Sequence, residues 1–164
     1  MKVLYIGHYR EGTGWGRAAT DYILAMDSVG IDVVCRSISF NGEKGEVNPR
    51  ILELEKKSTR HSDVCIQHLL PHMMDYNGRF KKNIALYETE TDSFKNSRWP
   101  NYINTMDEAW VVNKQMKQST LASGIDIPIK IMPHTFDTSK YDEDYKPLDI
   151  PYMKDLDNRF VFYF

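Results

Sequence analysis

The sequence has little cysteine, no long apolar run and no excess of charge of either sign. Lysine and arginine number 21 against 23 aspartates and glutamates, a net charge of -2, so the composition does not point to nucleic acid or to an anionic membrane. Charged residues interrupt every apolar run well before it reaches membrane-spanning length. This predicts no transmembrane helix and leaves peripheral membrane contact open.

Two further absences bear on the cellular compartment of the protein: a signal peptide and a cysteine-rich pattern. The apolar start of the chain, residues 2–7, is too short for a signal peptide. The only two cysteines, Cys35 and Cys65, lie among valine and isoleucine in predicted strands. We therefore expect two buried, reduced thiols rather than a disulfide or a metal pair, and a cytoplasmic protein.

What the chain does have is a regular alternation of strands and helices. Predicted strands cover residues 2–7, 31–36, 63–69, 83–88, 108–112 and 129–132, and predicted helices cover 16–29, 49–57, a segment from Pro100, and 113–123. This alternation predicts a doubly wound, mostly parallel α/β sheet of the Rossmann-like kind, with helices on both faces. We expect the strand order 2-1-3-4-5-6, with a ligand cleft between the first and third strands. The polar loop 37–48 could hide one more edge strand.

The last part of the chain has a different composition. Residues 1–137 form the predicted domain, and residues 138–158 are rich in Asp, Lys, Tyr and Pro, which is typical of a linker. The run 159–164 is aromatic and β-branched, and we expect it to be the first strand of a second domain. Alone, such a strand could be disordered, pair with its own sheet edge, or pair with another chain; the last option, a homo-oligomer through the tail, is favoured.

Four segments are informative through their order and spacing. They are the strand 3–7 with the glycine-rich loop 12–17, the passage 85–90 with Trp99 and 104–113 (including Met-Asp-Glu-Ala-Trp-Val at 106–111), the pair 123–125 and 131–137, and the run 160–164. Together they resemble the family-four glycosyltransferases, retaining enzymes of the two-Rossmann-domain, B-type (GT-B) fold. Thr135 stands where that family usually has glycine.

The resemblance implies the N-terminal, acceptor-binding domain of a hexosyl-type glycosyltransferase. It implies a nucleotide-sugar donor as cosubstrate, bound mainly by a C-terminal domain, with no tightly bound cofactor and no metal. The acceptor would be a carbohydrate or a lipid-linked molecule. On this hypothesis the 164-residue chain is catalytically inactive by itself. The alternative is a free-standing Rossmann-like module that binds a nucleotide or a sugar phosphate without catalysis.

The glycine-rich loop is the candidate phosphate site. Gly12, Gly14 and Gly16 let the backbone approach a ligand, the following helix offers free N–H groups, and Arg17 adds positive charge. Trp15 is the aromatic side chain that we expect to be exposed there. We expect Trp110, inside a predicted strand, to lie in the core, and Trp99 to serve packing rather than to bind a sugar. The spacing Gly-x-Gly-x-Gly differs from the dinucleotide fingerprint, and a tight turn without a ligand is the alternative.

Three carboxylates follow the fourth predicted strand. Glu88, Glu90 and Asp92 could orient sugar hydroxyls, and Glu88, nearest the strand, is the candidate catalytic base. The alternative is an acidic turn that the dipole of the following helix stabilises.

Four histidines are candidates for contact with substrate. His8 follows the first strand, His68 and His72 flank the turn after the third, and His134 lies at the passage into the linker. Pro71 disrupts the helix that a metal-binding pair of His68 and His72 would need, so no metal site is predicted. Histidines satisfied by hydrogen bonds in the core or in loops are the alternative.

Overall fold

A computed structural model describes residues 1–40, 42, 44–141, 144 and 146 of the chain. Six parallel strands form one sheet in the order β2-β1-β3-β4-β5-β6. The strands are β1 (Lys2–Gly7), β2 (Asp32–Ser37), β3 (Val64–His68), β4 (Lys82–Leu86), β5 (Glu108–Val111) and β6 (Ile129–Ile131). The helices are α1 (Gly14–Ser28), α2 (Pro49–Lys56), α3 (Trp99–Ile103) and α4 (Lys114–Ala122), with short 3-10 helices at Pro71–Met73 and Thr138–Tyr141. The predicted Rossmann-like α/β sheet and its strand order are confirmed.

Polar caps fix where the helices begin. The Thr13 hydroxyl accepts a hydrogen bond from the Gly16 N–H at 3.2 Å, so α1 begins two residues before the predicted start. Asn113 caps α4, as predicted, by accepting from the Met116 N–H at 2.8 Å. Gly30 and Gly124 follow α1 and α4 with φ of 79° and 83°, the left-handed conformation that closes a helix.

The two faces of the sheet carry separate cores. On one face, α1 and α2 pack on β1, β2 and β3 through residues such as Ala19, Ile23 and Ile51. On the other face, α3 and α4 pack on β4 and β5 through residues such as Ile103 and Met116. The helices therefore leave the carboxyl ends of the strands free, and the cleft lies there.

The structure corrects two expectations from the sequence, and a third concerns residues outside the described ranges. In the described part of the loop 37–48 no further strand forms; Lys44 makes one isolated antiparallel bridge with Glu11. Trp110, expected in the core, is only partly buried, and its indole N–H donates to Glu108 Oε1 at 2.5 Å. The predicted strand at 159–164 and most of the linker 138–158 lie outside the described residues.

Cys35 and Cys65 are both buried free thiols, as expected, on β2 and β3. Burial raises the pKa of the Cys65 thiol to about 12. No helix in the described ranges is long and apolar enough to cross a bilayer.

Candidate functional site

The centre of the cleft is the Glu88 carboxylate. β4 ends at Leu86, so Glu88 lies two residues beyond the strand rather than directly after it. Its Oε1 lies 3.2 Å from His68 Nε2 and 3.5 Å from His134 Nε2. The structure thus brings together three of the candidate residues, which lie at or just after the ends of β3, β4 and β6. Both histidine rings lie near the same carboxylate oxygen of Glu88.

His68 supports Glu88 from behind. The His68 side chain is fully buried, and its Nδ1 lies 2.6 Å from the Tyr5 hydroxyl. Because a carboxylate oxygen only accepts, His68 Nε2 carries the hydrogen and donates to Glu88, while Nδ1 accepts from Tyr5. This chain of hydrogen bonds from β1 through β3 fixes the orientation of the carboxylate.

The protonation of this chain follows from burial. Burial lowers the pKa of His68, and the hydrogen bond to Glu88 opposes that shift without outweighing it. Burial likewise raises the pKa of Tyr5 well above its usual value, so the phenol keeps its proton. His68 is therefore a neutral imidazole that positions Glu88.

Trp15 separates two cavities that share Glu88. A cavity of about 390 Å³ lies between Trp15 and the loop after β4, and contains Glu90, Thr91 and Trp99 in its lining. A second cavity, of about 510 Å³, lies on the α1 side, and contains Gly14, Arg17 and His134. We call them the β4-loop cavity and the α1 cavity. Glu88 can thus act on groups bound in either one.

Trp15 is half-buried rather than exposed, which corrects the expectation from sequence. Its ring packs against His68 and His8, with centroid separations of 5.1 Å and 5.9 Å. His8 is itself 1% exposed, and its Nδ1–H donates to the Ile38 carbonyl at 2.7 Å. His8 therefore supports the indole wall from below, and Phe40 packs on its ring at 5.3 Å.

The glycine-rich loop divides its residues between two cavities. Gly12 and Gly16 line a separate space of about 480 Å³ between this loop and residues 45–49, whereas Gly14 lines the α1 cavity. Arg17 lines both, and its guanidinium Nε lies 2.9 Å from Asp21. Of the predicted phosphate-binding residues, Gly14, Trp15 and Arg17 are thus the three at the cleft.

Gly16 has a structural role. A Cβ at this position would lie 2.0 Å from the Glu11 carbonyl oxygen and 3.1 Å from that of His8. Only glycine lets the turn at residues 8–11 pack this closely on α1. The position of His8 beneath Trp15 depends on that close approach.

The remaining candidates lie at the margin. Glu90 is exposed and lines the β4-loop cavity. Asp92 is exposed and does not line that cavity, and His72 is exposed on the 3-10 helix Pro71–Met73. Within the described ranges, no group of three or more His, Cys, Asp or Glu side chains could hold a metal ion.

Sequence reasoning missed Tyr5 and undervalued Trp99. Tyr5 is an apolar strand residue by pattern, although a buried tyrosine hydroxyl generally needs a partner, and that need was the available signal. Trp99 was expected to serve packing; its ring does pack against Phe94 at 5.7 Å, and it also lines the β4-loop cavity.

The fold and the site define a Rossmann-like parallel α/β domain with a divided cleft at its strand ends. A scan against protein-family models finds no match for the chain, and a search of curated proteins finds no relative.

Proposed function

We propose that this chain is the acceptor-side domain of a glycosyltransferase that moves a hexosyl group from a nucleotide sugar to an acceptor. On this proposal most contacts to the nucleotide sugar come from a second, nucleotide-sugar-binding domain. The observation that carries the proposal is the position of Glu88, whose carboxylate lines two adjoining cavities, is hydrogen-bonded to His68 and lies 3.5 Å from His134 Nε2. A group transfer needs two substrates on either side of one polar centre, and this arrangement provides the space for them.

The α1 cavity suits the phosphates of the donor. Gly14 is the first residue of α1, where N–H groups lack carbonyl partners within the helix, and the helix dipole favours an anion there. Arg17 and His134 line the same cavity, together with the Asp21 and Glu88 carboxylates, and provide the guanidinium and imidazole groups that the β4-loop cavity lacks among its described residues. The donor acts as cosubstrate, with most of its contacts made by the second domain, and the proposal includes no metal and no tightly bound cofactor.

The β4-loop cavity is then the acceptor side. Glu88 reaches it together with Glu90, and a carboxylate there can accept a hydrogen bond or a proton from an acceptor hydroxyl. His68 and Tyr5 hold Glu88 in place for this task, whereas Glu88 itself touches the reacting groups.

Glu88→Gln tests this role, because the amide keeps the shape and loses the charge. In the protein that includes the second domain, we expect nucleotide release from a panel of nucleotide sugars with a carbohydrate acceptor to fall by at least about 100-fold. Asp126→Asn is the matched control, since Asp126 is exposed between α4 and the start of β6, at the amino ends of the strands, whereas Glu88 follows the carboxyl end of β4. Equal turnover in wild type and Glu88→Gln would assign Glu88 to structure and remove the proposal's main support.

A second candidate, a free-standing nucleotide- or sugar-phosphate-binding module, draws on the same open helix start at Gly14. Calorimetry of the 164-residue chain with nucleotide sugars separates the two functions. The glycosyltransferase proposal expects weak or undetectable binding, with NMR shifts confined to residues 12–17. Micromolar binding by this chain alone would favour the module.

A further inference from the structure

We infer that the β4-loop cavity binds an uncharged or aminated sugar ring and discriminates against acceptors that carry phosphate or carboxylate groups. The inference rests on the proposed function, because it takes this cavity as the acceptor side, and it adds the chemical class of the acceptor.

The shape and apolar walls of the cavity suit a single sugar ring. It is an open cavity of about 390 Å³, with Trp15 on one side and Trp99 on another. Both indoles are half-buried and braced, Trp15 by His68 and Trp99 by Phe94. A ligand site typically combines such rigid apolar walls with a few polar groups that fix orientation.

The charged groups in the lining are carboxylates, those of Glu88 and Glu90. The hydroxyls of the loop are partly used within the protein: Thr89 bonds to Thr91 at 3.1 Å, and Ser97 donates to the Phe94 carbonyl at 2.8 Å. Glu88 and Glu90 are then the strongest hydrogen-bond acceptors in the lining. Carboxylates accept hydrogen bonds from sugar hydroxyls and ammonium groups, and charge assistance strengthens those bonds.

The charges of the two cavities differ. Among the described residues, no lysine or arginine lines the β4-loop cavity, and Lys95 and Arg98 of the same loop are not part of its lining. Arg17 lies in the α1 cavity, on the other side of Trp15. An anion in the β4-loop cavity would therefore face two carboxylates without a compensating cation, and we expect it to bind at least about tenfold more weakly than its uncharged counterpart.

The test uses the 164-residue chain and three forms of the same ring. Glucose, glucosamine and glucose 6-phosphate are uncharged, cationic and anionic, and mannose and galactose series vary the stereochemistry. The indole N–H signals of the three tryptophans report binding in an NMR titration. Trp15 and Trp99 line the cavity, whereas Trp110 lies beside Glu108 on β5 and is the internal control.

We expect uncharged or amino sugars of at least one series to shift the indole N–H signals of Trp99 and Trp15 but not that of Trp110. The 6-phosphate of the same sugar should have a dissociation constant at least about tenfold higher. Glu90→Gln should reduce this ratio of dissociation constants by at least about threefold, and added salt should reduce it too. If the sugar 6-phosphate binds as tightly as the uncharged sugar, or more tightly, the inference is overturned. So does the absence of any Trp99 shift with every series at tens of millimolar.

The outcome is separable from that of the proposed function. Loss of nucleotide release in Glu88→Gln together with tight binding of sugar phosphates would keep the glycosyltransferase and reject the uncharged acceptor. Discrimination among the sugars with unchanged turnover in Glu88→Gln would keep a carbohydrate-binding cavity and reject the proposed role of Glu88.

Discussion

Replacing Gly16 by alanine perturbs the site through the backbone and leaves the other side chains in place. The added Cβ would lie 2.0 Å from the Glu11 carbonyl oxygen, 3.0 Å from the carbonyl carbon and 3.1 Å from the His8 carbonyl oxygen. All three atoms belong to the backbone, so no side chain can rotate to make room. The turn at residues 8–11 must move away from α1, and His8 moves with it.

The size of the effect follows from the cost of overpacking. Forcing backbone shifts of this kind costs about 1–3 kcal/mol. Alanine offsets part of that cost, because glycine within a helix is about 1 kcal/mol less favourable than alanine. For a domain of this size, 1 kcal/mol corresponds to about 2–4 °C in melting temperature. The net loss is then up to about 2 kcal/mol, and we expect Gly16→Ala to melt up to about 8 °C below wild type.

Gly14→Ala is the matched control, since a Cβ there meets no atom within 4 Å. It should melt at or slightly above the wild-type temperature. Thermal unfolding followed by far-UV circular dichroism measures both variants, and tryptophan fluorescence reports whether Trp15 has lost its contact with His8. If Gly16→Ala and Gly14→Ala melt at the same temperature, the close approach of the turn to α1 is refuted.

Two further predictions concern buried polar groups. Burial opposes ionisation of Glu108, but hydrogen bonds from Lys82, Trp110 and Lys130 outweigh it and lower its pKa to about 2. Its contribution to stability is therefore complete above the ordinary glutamate pKa and is lost as pH falls towards 2. After screening by solvent at the exposed lysines, this contribution to the free energy of unfolding is about 1–2 kcal/mol. Between neutral pH and a pH near 2, urea unfolding should therefore show a smaller loss of stability in Glu108→Gln than in wild type. Tyr5→Phe leaves the buried His68 Nδ1 without a partner and should cost about 1–3 kcal/mol in urea unfolding; an equal loss in Tyr76→Phe, at an exposed position, would contradict the assigned hydrogen bond.

The sheet was predictable from the sequence because its signals are local. Apolar runs bounded by glycine define β1 and β2, and a cap such as Asn113 fixes a helix start without help from the rest of the fold. The additional edge strand that the loop 37–48 could have held does not form in the described residues. Instead, a Cβ on Gly45 would lie 2.7 Å from the Gly12 nitrogen, so this loop packs on the glycine-rich loop and does not extend the sheet edge.

The candidate site was predictable in its members and not in its arrangement. Glu88, His68 and His134 were candidates because parallel strands end at one edge. That His68 lies behind Glu88, bonded to Tyr5 63 residues earlier, depends on strand order and on rotamers that no short pattern encodes. The same holds for Trp15, whose half-buried position requires His8 beneath it.

The shared indole wall has a thermodynamic consequence. Trp15 lines both the β4-loop cavity and the α1 cavity, so a ligand that rotates its ring in one cavity changes the volume of the other. Linkage then requires reciprocity: whatever factor the first ligand imposes on the affinity of the second, the second imposes on the first. Two ligands that never touch are then coupled only to the extent that each displaces the Trp15 ring from its contacts with His8 and His68, and the sign of the coupling is set by the ring position that each one favours.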